Sequence, residues 1–437
     1  MYSTHFIGQG MNSVEHARHY VTGLLGKQRR KNIETIENDV EGSDYQGMEQ
    51  FLSSSPWDHA GLLEAMVPEL NRHLGGRAES ALYLDETSFL KKGTKSVGVQ
   101  RQWSGRAGKL ENCQVAVFAA LGCQTRVGLC DMRLYLPESW VEDPARCDQA
   151  KVPPGERQLR TKHQLALDLV RTARRRGVQF GWVGFDSLYG SCQSLVNALE
   201  DMGEKFVGDV HVSNKVWTQE PVFAPAIGSR GRPRKTPALA PDYAGRYLTV
   251  EQLARERFER ESRWVVMRPG QKGPIKVRLW HAAVWCWEPK WDRPRQRTLI
   301  VRQDRAGAFK YSLTNFIDIA DPQRLAWLQG QRFWIEHAFH EAKSQLGMAQ
   351  YQVRVWRGWH HHMALVALAL LFTLREQNLL QARAPLLSVR DLTELLDIYL
   401  PRRDRSQTEI LNQIDLRHRK RQLDIDRRTR AAKIRSQ

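Results

Sequence analysis

Two short apolar runs, each leading straight into an aspartate, constrain this chain more than any other feature. Leu82, Tyr83 and Leu84 lead into Asp85, and residues 180–185 lead into Asp186. Apolar runs of this length, bounded by turn residues, read as strands. Two more strand-length runs lie between the aspartates, at residues 113–121 and 128–136. A helix pattern at 162–176 precedes the second aspartate, with a helix at 190–201 and a strand at 205–209 after it. Three strands followed by helix, strand, helix, strand describe an α/β fold, a mixed sheet flanked by helices.

The rest of the chain divides around this block. Residues 1–75 read as a helical N-terminal DNA-binding domain, with a basic run at 27–31 and a helix start at Ser55, Pro56, Trp57 and Asp58. Residues 76–210 form the first part of the core. Residues 211–322 read as a β-rich insertion, with strands at 263–268, 276–288 and 297–302. Its tryptophans (Trp264, Trp280, Trp285, Trp287, Trp291) are core residues or platforms for an unstacked base. Residues 323–400 return to helix and complete the core. The tail, 401–437, is a basic arm, disordered or loosely helical.

Sixty-six Lys and Arg against 48 Asp and Glu leave a formal charge of +18. A surplus of that size favours a polyanionic partner, because each cation placed on a phosphate releases condensed counterions. Membrane partners are excluded on the sequence: the apolar run at 363–374 is too short to cross a bilayer and reads as a buried helix. The N-terminus lacks a secretory pattern, and the six cysteines have no zinc spacing. These features fit a cytoplasmic, nucleoid-associated protein. The consecutive His360, His361 and His362 point in three directions on a helix, so they are poor co-ligands and read as a solvated or DNA-facing turn.

In-line attack on a phosphodiester calls for two hard divalent cations held by a few carboxylates. Asp85 and Asp186 supply two of them from strand ends, and Glu336 supplies a third from a helix. On that helix Arg332, Glu336, His340 and Lys343 share one face, beside an apolar stripe of Ile335, Phe339, Ala342 and Leu346. Each acid has a rival. Glu86 adjoins Asp85 but points the other way along a strand; Asp209 ends the next strand; Glu341 lies off the Arg/Lys face.

The stretch from Asp85-Glu86-Thr87-Ser88-Phe89 to Gln102, with Gly108–Gln114, Leu134–Trp140, Phe185-Asp186-Ser187-Leu188-Tyr189-Gly190 and Ile335-Glu336…Phe339…Lys343, resembles the DDE transposases of bacterial insertion sequences. The likeness is to the branch of insertion sequence 4 and insertion sequence 701, and it runs from about residue 20 to 380. It implies a ribonuclease-H-like core interrupted by the β-rich insertion, two Mg²⁺ or Mn²⁺ ions on Asp85, Asp186 and Glu336, and cut-and-paste mobility. Double-stranded DNA, as transposon terminal inverted repeats and as target, is the implied partner. Bringing two ends together implies a homodimer on DNA. Arg332 and Lys343 match the Arg and Lys of the family's Tyr-Arg-Glu-Lys signature, but Gln329 stands at its Tyr position, where Trp327 or Trp334 could substitute. Lys91 and Lys92, close after Asp85, are candidates for the DNA backbone. Arg230, Arg232 and Arg234 resemble an AT-hook core for a narrow minor groove, or else form a basic hairpin tip.

Overall fold

The computed structural model describes residues 2–8, 11–105, 107–224, 238–270, 273–288, 291, 293–403 and 406–435. Arg230, Arg232 and Arg234 lie outside the described residues.

The sheet is built outward from one strand, β1 (Ala81–Leu90). After it come β2 (Gln100–Ser104), β3 (Lys109–Cys123), β4 (Arg126–Leu134), β5 (Trp182–Phe185) and β6 (Phe206–Asp209). β3 runs antiparallel to β1 on one side, and β5 runs parallel to it on the other, with β6 parallel to β5. With β4 paired to β3, the core order is β4-β3-β1-β5-β6. Three antiparallel strands followed by two parallel ones give the ribonuclease-H-like fold.

The structure corrects one strand boundary beside the site. β1 does not stop at Leu84; it runs on to Leu90, because β3 offers an unbroken partner from Gly122 back to Cys113. Asp85 is therefore inside a strand. Its parallel partner β5 does stop, at the Leu84–Phe185 pair, so Asp85 and Asp186 take the next register position where the ladder ends. That termination brings the two aspartates together.

The segment after β6 extends the same sheet. β7 (Arg263–Arg268), β8 (Ile275–Cys286), β9 (Arg295–Gln303) and β10 (Phe309–Thr314) form an antiparallel meander. β10 pairs with β6, setting Ser312 opposite Asp209. Trp280 and Trp291 are buried in the second core of this meander, beside Val284 and Leu299, whereas Trp264 is exposed.

Helices cover the sheet. α1 (Val14–Leu25), α2 (Ile33–Asp39), α3 (Tyr45–Ser53) and α4 (His59–Leu74) form the N-terminal layer. Asn32, Asp44 and Asp58 cap the last three by accepting backbone N–H groups in the first turn. α5 (Lys162–Arg175) starts on a capping box of Thr161 and Gln164; α6 (Gln193–Asp201) lies between β5 and β6. α7 (Val250–Glu261) packs on the meander. α8 (Pro322–Gly330) leads into α9 (Phe333–Gln345) and then α10 (Trp356–Leu379). α11 (Val389–Tyr399) follows, and the tail forms one long helix, α12 (Gln407–Arg435). Among the described residues no helix is long and apolar enough to cross a membrane.

α10 is the central helix, and it overturns the reading of the three histidines. His360, His361 and His362 are all buried, because helices α1, α3 and α4 close over this helix. His361 stacks on Trp57 with ring centroids 3.8 Å apart. Its nitrogens lie 2.9 and 3.0 Å from the carbonyl oxygens of Leu52 and Trp57. His362 meets the Tyr20 hydroxyl at 2.8 Å. Burial pushes both histidines down to about 3, so the rings are neutral and tie the helical layer to the core. Replacing His361 by Ala removes the stacked ring and strands a carbonyl. We expect a loss of roughly 2–4 kcal/mol in chemical denaturation; a change below about 0.5 kcal/mol would show that the ring does not join the layers.

Candidate active site

Asp186 leaves β5 as the cap of a short helix, Ser187–Gly190, its Oδ1 accepting the Leu188 N–H at 3.0 Å. That helix sits directly on β6. A Cβ at Gly190 would stand 2.0 Å from the Asp209 carbonyl oxygen, so glycine is required by close approach. The Asp-Ser-Leu-Tyr-Gly run is thus a device for fixing Asp186. Its Tyr189 is buried and donates to Glu86 at 3.2 Å.

Strand alternation separates Asp85 from Glu86. Asp85 accepts the Glu86 N–H at 2.8 Å and faces Arg332 at 3.3 Å. Glu86 turns toward α5, where Lys162 pairs with it at 2.6 Å. Glu341 pairs with His337 at 3.5 Å and lines a different small pocket with Arg126.

Arg332 is the hub. It stands at the N-cap of α9, one residue before the helix in which the sequence pattern placed it. Its guanidinium reaches Asp85, Asp209 at 3.6 Å and Glu336 at 2.7 Å. Asp209 is also held by the Ser312 hydroxyl at 2.6 Å; only the pairing of β10 with β6 brings Ser312 there. Glu336 is half-exposed and free to re-aim. Two turns along, Lys343 bonds the Thr87 hydroxyl and the Ser88 carbonyl on β1.

Electrostatics follow from burial. Desolvation pushes Asp85 up to about 7 against the pull of Arg332, with Asp186 adding repulsion. Asp186 is raised for the same first reason. Burial opposes the charge of Arg332, but Asp85, Asp209, Glu336 and Asp186 outweigh it and hold the guanidinium above its ordinary value. One cation thus serves four carboxylates.

Asp85, Glu86, Asp186, Arg332, Glu336 and Lys343 line a cleft of about 560 Å³ with Trp103 and His340; Asp209 is not on its walls and meets the site through Arg332. Trp103 is 57% exposed; attention to the tryptophans after β6 missed it, and only the pairing of β2 with β3 carries it to the cleft. Neither Trp327 nor Trp334 lines the cleft. Trp327 packs on Trp182, and Trp334 sits by Phe333 and His337. Gln329 is buried and donates to Ser312 at 2.8 Å. Lys91 and Lys92 line a separate cleft.

A family model described as a DDE superfamily endonuclease matches residues 9–274. The chain belongs to this superfamily. The matched span holds Asp85 and Asp186 and ends before α9. The chain is also similar to a protein named probable transposase for insertion sequence element IS701, from Microchaete diplosiphon. The two are 24% identical over 348 residues, an alignment covering 78% of each.

Endonucleases of this superfamily generally use divalent metal ions. Among the described residues no three His, Cys, Asp or Glu side chains converge closely enough to hold an ion in this arrangement. The candidate donor set still fits a hard cation: every candidate atom is a carboxylate oxygen, Asp85 and Asp186 are desolvated, and the carboxylates outnumber the Arg332 charge.

Because folding raises Asp85 from 3.8 to about 7, its contribution favours the fold at pH 4 and is lost as pH rises toward 7. Asp85→Asn should therefore raise the thermal midpoint of chelator-treated protein, relative to wild type, more at pH 8 than at pH 4.5. Equal differences at both pH values would show that Asp85 is not a desolvated carboxylate.

Proposed function

We propose that this chain is a transposase that cuts DNA at transposon ends and joins the freed 3′-OH to target DNA. The observation that carries this reading is the single cleft lined by Asp85 and Asp186, from adjoining strands, and Glu336 from α9. In this reading Asp85, Asp186 and Glu336 would hold two Mg²⁺ or Mn²⁺ ions, whose chemistry would be to favour the attacking oxygen and to stabilise negative charge on the leaving one.

The other groups have roles of their own. Arg332, largely buried among the carboxylates, neutralises them in the arrangement seen here. Lys343, anchored to Thr87 and Ser88, keeps a positive charge over the same cleft. Trp103 offers an exposed ring to a base that leaves its stack. The net charge of +18 suits a duplex partner. Bringing two transposon ends together makes a homodimer the working form on DNA, acting in the cytoplasm on the nucleoid. The similarity to a protein named as a transposase supports the reading.

The test is cleavage of DNA carrying the inverted repeats that flank the gene, with Mg²⁺. Wild type should cut and transfer, and Asp186→Ala should lose on the order of 10³-fold or more, the equivalent of several kcal/mol of transition-state stabilisation. Equal cleavage by both would sink the assignment. Glu86→Gln, which alters the neighbour committed to Lys162, should stay within roughly tenfold of wild type; a loss as large as that of Asp186→Ala would move the ligand from Asp85 to Glu86.

A further inference from the structure

A second cleft, of about 1160 Å³, opens beyond the far end of β1. Lys91, Lys92, Lys95, Lys151 and Arg354 line it, and among the described residues Glu49 is the one acid on its walls. Among the described residues none of the five cations is paired with a carboxylate. Several arginines elsewhere are matched: Arg133 and Arg176 share Asp131, and Arg295 and Arg297 share Glu200. Cations clustered around one cavity without a carboxylate partner repel one another, and a polyanion relieves that repulsion.

The backbone that presents these cations is fixed in advance. Asn112 donates to the Lys91 and Gly93 carbonyls at 2.7 and 3.0 Å. Arg146 donates to the Thr94 carbonyl at 3.1 Å, and the Val97 N–H bonds the Arg354 carbonyl at 2.9 Å. Lys151 stands in the left-handed region, φ 53°, where glycine or asparagine is the easy choice. A lysine at a strained position on the rim of a basic cleft indicates that its side chain is needed there. Lys91 lies with its Nζ 3.4 Å from the Tyr351 ring centroid, and burial pushes its amine down to about 7. A phosphate oxygen would supply the counter-charge it lacks.

We propose that this cleft binds the sugar-phosphate backbone of the duplex beside the cleavage point. The inference rests on the transposase reading for the identity of the duplex, and it assigns a second contact apart from the catalytic cleft. From Asp85 to Leu90, five strand residues at about 3.3 Å each set the cleft about 17 Å from the carboxylates. That distance corresponds to about five base pairs along a duplex at 3.4 Å per step.

The test is the salt dependence of binding. Lys92, Lys95 and Lys151 are exposed, so Lys92→Gln/Lys95→Gln/Lys151→Gln should fold normally, as circular dichroism can verify. Affinity for duplex carrying the flanking repeats is measured against salt for wild type, this variant and a control, Arg305→Gln/Arg383→Gln, at exposed positions outside the cleft. The slope of log K against log salt should become shallower by about 2–3 for the triple variant, close to 0.9 for each phosphate that no longer has a lysine beside it. An unchanged slope, or an equal change per charge in the control, overturns the proposal. Cleavage by wild type is read in parallel: a shallower slope with no metal-dependent cleavage supports the cleft while failing the transposase reading.

Discussion

The site depends on where one parallel ladder ends. β1 and β5 pair from Ala81–Trp182 to Leu84–Phe185 and no further. Inside a continuing sheet, two aspartates on neighbouring strands would be buried like-charged neighbours, a costly arrangement. At the ladder's end β5 turns into a short helix that Asp186 itself caps, while β1 runs on with β3. The two carboxylates are held by rigid elements yet face a cleft. Gly190 makes the turn possible, since any side chain there would collide with the backbone of β6.

Arg332 is the electrostatic counterpart of that geometry. A single guanidinium spread over Asp85, Asp209 and Glu336 lets the acids coexist, but burial still leaves Asp85 raised to about 7. The centre is therefore short of positive charge as it stands. The same side chain links two parts of the molecule: Asp209 belongs to β6, whose outer edge pairs with β10, and Ser312 of β10 holds Asp209. The meander after β6 is thus coupled to the carboxylates through Asp209, which takes the Ser312 hydrogen bond, lies 3.9 Å from Lys310 of β10 and pairs with Arg332.

Charge is distributed with the same economy over the rest of the chain. The net surplus of +18 is not spread evenly. Many of the buried or half-buried arginines are used in internal pairs, while the cations beyond the far end of β1 have no carboxylate partner among the described residues. The helical layer meets this basic cleft with α3, which brings hydroxyls and Glu49 but no cation to its wall. Attachment of that layer combines neutral contacts, the buried histidines of α10 among them, with the ion pairs of Asp39 with Arg402 and Glu64 with Arg176.

Much of this was legible in the sequence because it is local. Apolar runs mark strands, caps mark helix starts, and alternation along β1 sends Asp85 and Glu86 to different partners. The Asp85, Asp186 and Glu336 settings could be picked out one by one, with Arg332 and Lys343 beside the last. Contacts between distant segments were not legible. His360, His361 and His362 look solvated until three helices close over them; Trp103 looks like any strand residue until β2 pairs with β3. The end of β1 was misjudged for the same reason: its length is set by the partner strand β3, not by its own residues. The sequence by itself determined which acidic and basic side chains were candidates and on what kind of element each would sit. Only the tertiary structure decided which of them meet, because strand pairing and helix packing join residues hundreds of positions apart, and no local pattern encodes that.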